Sequence, residues 1–271
     1  MHHEDQMVHP EAIVDEVSTS PLDPVAGPEP VTLFERGDHR WIWLGADADA
    51  GDEVAANQFL VQAGGRSALL DPGSVLDFAR AVSNLARFSP SDSVDVVFYS
   101  HQDPDVSSAA PMWARVTGAQ LYMSQLWTRF VPHFGGVPAD RIVAIPDEGG
   151  PISLGGRTLI AVPAHFLHAP GNLALYDPVA RILFTGDLGA NLPPHGGPLF
   201  VDDLKGHLPY MEGFHRRYMA SNAACRAFVK NVRQLDIDLI VPQHGSLFRG
   251  AAVGDFLAWL DQLECGMDLL G

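Results

Sequence analysis

The chain has 271 residues, 46% of them hydrophobic and 18% charged, which is the profile of a folded globular protein and excludes collagen-like, coiled-coil and fully disordered classes. Acidic residues outnumber basic ones by 33 to 17, for a formal charge of −16; a surface of that sign repels phosphate backbones and anionic lipids, so neither nucleic acid nor membrane is expected as a partner. The two cysteines, Cys225 and Cys265, lie far apart with no C-x-x-C pair, which argues against a disulfide framework or a cysteine zinc site. No run approaches ~18 apolar residues, and the N-terminus has no apolar signal core. The sequence reads as a soluble, cytoplasmic protein.

Residues 1–30 form a separate region, rich in Pro, Asp and Glu with no Lys or Arg. Such a stretch buries too little apolar surface to offset its ordering entropy, so it is expected to be a flexible acidic arm, with His2–His3 an incidental pair. Residues 31–271 are expected to form one domain. Arg40–Leu44, Gln58–Gln62 and Ser67–Leu70 read as strands, the last running into the turn Asp71-Pro72-Gly73. Ser74–Phe88 has helical spacing, with Ser74 as its cap. Strand Asp95–Tyr99, helix Ala109–Val116, strand Gln120–Met123 and helix Leu126–Phe134 follow. Ile152–Val162, broken at Gly155-Gly156, then Leu173–Tyr176 and Ile182–Thr185 read as consecutive strands. Ser221–Leu235 is a helix, Leu239–Val241 a strand, and Val253–Leu270 an amphipathic terminal helix. Strands and helices mix in both halves, which suits two sheets covered by helices.

Four polar clusters end these strands. The first is Ser100-His101-Gln102-Asp103-Pro104-Asp105-Val106. In an extended segment the i, i+2, i+4 spacing puts His101, Asp103 and Asp105 on one side, where they suit a metal. The second, His165 to Asn172, holds His165 and His168. The third is Phe184-Thr-Gly-Asp187, and the fourth Pro242-Gln-His244-Gly. Each alone is an ordinary loop, turn or cap. Four such endings in one chain point to a metal centre.

The order His-x-Asp-x-Asp, His-x-Pro-Gly-Asn, Phe-Thr-Gly-Asp, Pro-x-His-Gly resembles the metallo-β-lactamase superfamily from about Val31 to Gly250. That resemblance implies an α/β fold, the four-layer αββα sandwich, with a two-metal site along one edge. The common zinc-hydrolase motif has His where this chain has Asp103 and Val106. A carboxylate at the Asp103 position resembles the flavodiiron and oxygen-binding diiron branch, as do Gly155-Gly156-Arg157-Thr158-Leu159 and the stretch Tyr210 to His244. Carried over by position, the resemblance implies one metal on His101, Asp103 and His168, a second on Asp105 and His244, and Asp187 bridging them. Val106 is taken to face the second metal without ligating it. His165 is expected to support a ligand carboxylate.

Three carboxylates against three imidazoles make an oxygen-rich site that leans toward Fe, with Zn or Mn as alternatives. The expected function is therefore a diiron protein that binds, senses or reduces O₂ or NO. Only 27 residues follow His244, too few for a flavodoxin-like domain, so reductase turnover would need an external electron donor. The alternative is a hydrolase, in which a metal-bridging hydroxide oriented by Asp105 attacks an ester, lactone, thioester or phosphodiester. In either reading Asp105 and Asp187 are the carboxylates at the reacting centre. The resemblance also implies a head-to-tail homodimer.

Overall fold

Short apolar runs separated by glycine-rich turns build two sheets of seven strands each. The computed structural model describes residues 29–46, 55–193 and 197–270; nearly all of the acidic arm, including His2–His3, lies outside the described residues. The first sheet comprises β1 (Val31–Arg36), β2 (His39–Gly45), β3 (Gln58–Ala63), β4 (Arg66–Leu70), β5 (Val94–Phe98), β6 (Gln120–Ser124) and β7 (Ile142–Ile145), in that spatial order. The second comprises β8 (Gly150–Leu154), β9 (Arg157–Pro163), β10 (Leu173–Asp177), β11 (Ile182–Gly186), β12 (Phe200–Val201), β13 (Leu239–Pro242) and β14 (Leu247–Arg249), in the order β8-β9-β10-β11-β13-β14-β12. Between them in sequence lie α1 (Phe78–Ala86), α2 (Pro104–Ser107), α3 (Ala110–Val116), α4 (Leu204–His207), α5 (Glu212–Tyr218), α6 (Asn222–Val232) and α7 (Ala251–Gln262).

Each sheet starts with a four-stranded antiparallel meander whose last strand pairs in parallel with the strand after a crossover: β4 with β5 in the first, β11 with β13 in the second.

Three apolar clusters separate four layers. Trp41, Phe59, Phe98, Leu175, Phe184 and Val241 fill the space between the sheets. Ile42, Leu60, Tyr99, Leu85 and Trp113 join the first sheet to α1 and α3. Leu183, Ile240, Phe228, Val232, Phe256 and Leu260 join the second sheet to α6 and α7. This is the αββα sandwich. The alternation along β2 and β3 sends neighbours into different clusters, as a strand buried on both faces requires. A polar tie crosses the sandwich far from the strand-end histidines: Asp177 accepts from Trp41 Nε1 and lies against His39 Nε2, each at 2.7 Å. Burial works against the Asp177 carboxylate, but these partners hold it below its usual range.

The expected strands are all present, and the helices differ in three places. The segment from Ser74 turns before becoming α1, because Asp77 bends back to accept from Ser74 N and Oγ. Leu126–Phe134 is a run of turns closing in a 3₁₀ turn at Val131–Phe134; Pro132 has no N–H to offer an α-helix there. The terminal helix stops at Gln262, and Gly266–Leu270 is a separate 3₁₀ turn. Gly266 sits at φ +52°, where a side chain would run into the carbonyls of Met219 and Ala220. Among the described residues, no helix is long and apolar enough to cross a membrane.

Candidate metal centre

The carboxyl ends of β5, β9, β11 and β13 open at one edge of the sandwich, and the loops that follow carry the six predicted ligands. His101 follows β5, His168 follows β9, Asp187 directly follows β11, and His244 follows β13. The fold brings all six together in two sets. Ligand atoms of His101, Asp103 and His168 lie within 4.8 Å of one another, with His168 Nε2 3.5 Å and His101 Nε2 3.8 Å from Asp103 Oδ2. In the second set His244 Nε2 is 3.3 Å from Asp105 Oδ2. Asp187 stands between: Oδ2 is 3.0 Å from His168 Nε2, and Oδ1 is 3.4 Å from His244 Nε2.

The first motif is not extended throughout. The chain is extended at Asp103 and then enters α2 at Pro104, so Asp105 swings away from His101 toward His244. Val106 follows on the helix, about 100° further round. Its side chain is fully buried in the apolar cluster with Ile42, Tyr99 and Trp113, which corrects the expectation that it faces the second metal. His165 is also turned away: its Nε2 meets the Asp147 carbonyl at 2.7 Å rather than a ligand carboxylate.

The protein sets the orientation of its imidazoles. Ser100 Oγ donates to Asp71 Oδ2 and in turn takes the Nδ1–H of His101 at 2.8 Å. His101 Nε2 is left with its lone pair toward Asp103 and Asp187, buried and without a hydrogen-bond partner. His244 Nδ1–H is given to the Ala55 carbonyl at 3.0 Å, which directs its Nε2 the same way. Asn57 holds that loop to the first sheet, donating to the carbonyls of Pro242 and Gly245.

The charges also agree. Burial would raise the Asp187 carboxyl, yet His101, His168 and His244 hold it well below the usual range. Burial would lower His244, yet the Asp105 and Asp187 carboxylates facing its Nε2 at 3.3 and 3.4 Å raise it to about 10. Burial keeps His101 below the usual imidazole value. Carboxylates that draw protons onto their neighbours are a place for cations, and metal binding replaces those protons. The orphaned His101 Nε2 and Asp187 Oδ1, aimed into gaps of 3.4–3.8 Å, fit the test for ions: two atoms each ~2.1 Å from one metal stand ~3–3.5 Å apart.

The sequence reading passed over Asp71, seen only as part of a turn, and His215. The latter is fully buried in α5, where its Nδ1–H donates to the Met211 carbonyl and its Nε2 accepts from Gly189 N at 2.9 Å. Burial lowers it to about 4, so it stays neutral and keeps the turn after Asp187 in place. From the same helix Phe214 and Tyr218 stack on each other and pack edge-on against His168. The signal available was a histidine in a segment where Met211, His215 and Met219 are spaced for one buried helix face.

A four-layer αββα sandwich with paired His/Asp sets at its open edge defines a metallo-β-lactamase-fold protein with room for two metals. A family model described as "ODP family beta lactamase" matches residues 54–245. The chain belongs to that family. A solved structure titled "Peroxy diiron species of chemotaxis sensor ODP" is 45% identical, with a TM-score of 0.80 over 89% of this chain and 97% of that one. The apo state of the sensor ODP from T. denticola is 44% identical, with a TM-score of 0.79 and the same coverage. A flavodiiron protein variant from Thermotoga maritima shares the fold at 18% identity and TM-score 0.73, over 87% of this chain and 61% of that one. An uncharacterized protein of Methanocaldococcus jannaschii is 22% identical over 199 residues, 68% of this chain and 47% of the relative; the chain thus spans about half the length of that protein.

Proposed function

We propose that this chain holds two iron ions at the open edge of the sandwich and binds dioxygen there as a sensor. His101, Asp103 and His168 hold one ion, Asp105 and His244 the other, and Asp187 joins them. The observation that carries the reading is Asp187, whose two oxygens face different sets at 3.0 and 3.4 Å. Three carboxylates and three imidazoles give a harder donor set than nitrogen-rich zinc sites, and this favours iron. Ferrous iron held there would supply an oxidisable centre that can give electrons to dioxygen. The rest is done by the chain: Asp71 and Ser100 fix His101, Ala55 fixes His244, His215 holds the Asp187 turn, and Phe214 with Tyr218 walls the His168 side with apolar rings. Support for sensing over reduction comes from the match to 97% of the sensor's chain against 61% of the flavodiiron variant's. In this reading no external electron donor is needed for oxygen to bind.

Anaerobic loading with ferrous iron, metal analysis and absorption spectra before and after air test this. The expected result is about two iron per chain and a new near-ultraviolet to visible absorption on exposure to O₂. A protein that rejects iron, keeps about two zinc and hydrolyses simple esters or lactones would overturn it in favour of the hydrolase.

A further inference from the structure

The two cysteines of the chain take no part in the metal centre, yet the fold brings them side by side. Cys225 lies on the buried face of α6, and Cys265 in the link between α7 and the turn Gly266–Leu270. Both thiols are free and fully buried, and their sulfurs are 3.8 Å apart. A disulfide is ~2.05 Å long, so closure asks for an approach of less than ~2 Å. Cys265 lies outside the α-helices, and its carbonyl takes one hydrogen bond, from Asp268 N at 3.0 Å, so a small backbone adjustment strains a single turn bond.

Few contacts seat the segment that covers the pair. The Asp268 carboxylate accepts from Asn222 N at 2.6 Å and from Cys265 N at 3.2 Å, and Met267 N donates to the Ala220 carbonyl at 2.8 Å. Met267, Leu269 and Leu270 are exposed. A segment held this lightly opens locally without global unfolding. Burial, with the Asp268 carboxylate adding to it, pushes both thiols up and keeps them protonated while the segment is seated; for Cys265 the contact with Cys225 and the Arg216 charge act the other way and are outweighed. Opening therefore turns a protected pair into a reactive one.

We propose that Cys225 and Cys265 form a reversible thiol–disulfide site, oxidised by hydrogen peroxide, that staples the C-terminal segment to α6. The Cys265 thiolate attacks one peroxide oxygen, the O–O bond breaks, and hydroxide leaves and is protonated to water. Cys265 is then a sulfenic acid. The Cys225 sulfur displaces its hydroxyl, the S–S bond forms, and a second water leaves. Two thiols give up two electrons and two protons, and one peroxide becomes two waters. The stapled segment is linked to the turn that carries His168: Ala220, which anchors Met267, also donates its N–H to the carbonyl of Phe166.

The test uses the full-length, iron-loaded chain, given a small molar excess of hydrogen peroxide without air, then quenched, alkylated and mapped. Both thiols should disappear together, with an intact mass lighter by two hydrogens, a Cys225–Cys265 cross-linked peptide, and full reversal by dithiothreitol. Closing this loop should raise Tm by roughly 5–10 °C, and Cys225→Ser and Cys265→Ser should lack that rise. Thiols that both remain alkylatable, or oxygen adducts on one cysteine with no cross-link, would overturn the proposal. The wild-type mass measurement decides the matter even where a serine variant fails to fold.

Discussion

Replacing Asp71 with asparagine separates two effects that usually travel together. Asp71 is fully buried at φ +38°, a conformation asparagine also tolerates, so the change removes an ionisable group with little change of shape. The new side-chain carbonyl keeps the Ser100 N–H that Asp71 accepts at 2.8 Å. The amide then faces Ser100 Oγ and must donate to it. Ser100 turns its own hydrogen toward His101 Nδ1, and His101 is left with its proton on Nε2, where the metal should bind. Affinity at the His101–Asp103–His168 set should fall ~10–100-fold, about 1.4–2.7 kcal/mol. Without metal the sign reverses. Burial pushes the Asp71 carboxyl from 3.8 up to about 8, so its contribution is intact below pH 3.8 and is lost as pH rises through about 8. At pH 7 that loss is up to about 4 kcal/mol. Asp71→Asn has no proton to lose, so metal-free variant should be at least as stable as wild type at pH 8 and no more stable at pH 4. Chelator-competition titrations and thermal melts of metal-free protein at both pH values read the two effects. Unchanged affinity would refute the relay through Ser100; a metal-free variant that melts below wild type at pH 8 would refute the burial argument.

Asp187→Ala should empty both metal positions, whereas His244→Ala should empty one; metal analysis that finds Asp187→Ala fully loaded removes the bridge. His215→Leu leaves the buried Gly189 N–H unpaired and should cost about 1–3 kcal/mol with weaker metal binding, while His215→Gln, which restores an acceptor, should recover part of both in melts and titrations. Val106→His puts an imidazole into an apolar cluster, so stability should fall by about 2 kcal/mol with the iron-to-zinc ratio unchanged; a shifted ratio would put that side chain at the metals. Acidification should release metal, because His168, raised by Asp187 despite its burial, and His244 at about 10 take up protons that compete with the ions; retention of both metals well below pH 5 would contradict this.

The clustering of the six candidate residues was legible because they stand at strand ends, where a short apolar run stops at or just before His or Asp. Strand identity was equally legible in Leu173–Tyr176 and Ile182–Thr185, which are apolar on both faces. Val106 was misplaced because residue spacing cannot say where an extended motif turns into a helix, and here Pro104 starts one. β1 escaped because an edge strand with exposed Thr32, Glu35 and Arg36 carries no alternation. His215 and Asp71 escaped because their roles consist of hydrogen bonds to residues 26 and 29 positions away, which no local pattern records.

The repeated plan of the two sheets bears on how the centre comes into being. Asp71 follows β4 and Asp187 follows β11, the equivalent strand in each meander; His101 and His244 follow β5 and β13, the equivalent crossover strands. The same two corners are thus used twice, to different ends: one aspartate stands behind an imidazole, the other among the six predicted ligands. In the proposed assignment neither half of the chain holds an ion alone. The first position would draw His101 and Asp103 from one half and His168 from the other, and the second Asp105 from one and His244 from the other. An ion bound at either position would therefore tie the seam between two similar halves, so metal loading would add to the stability of a sandwich that closes without it.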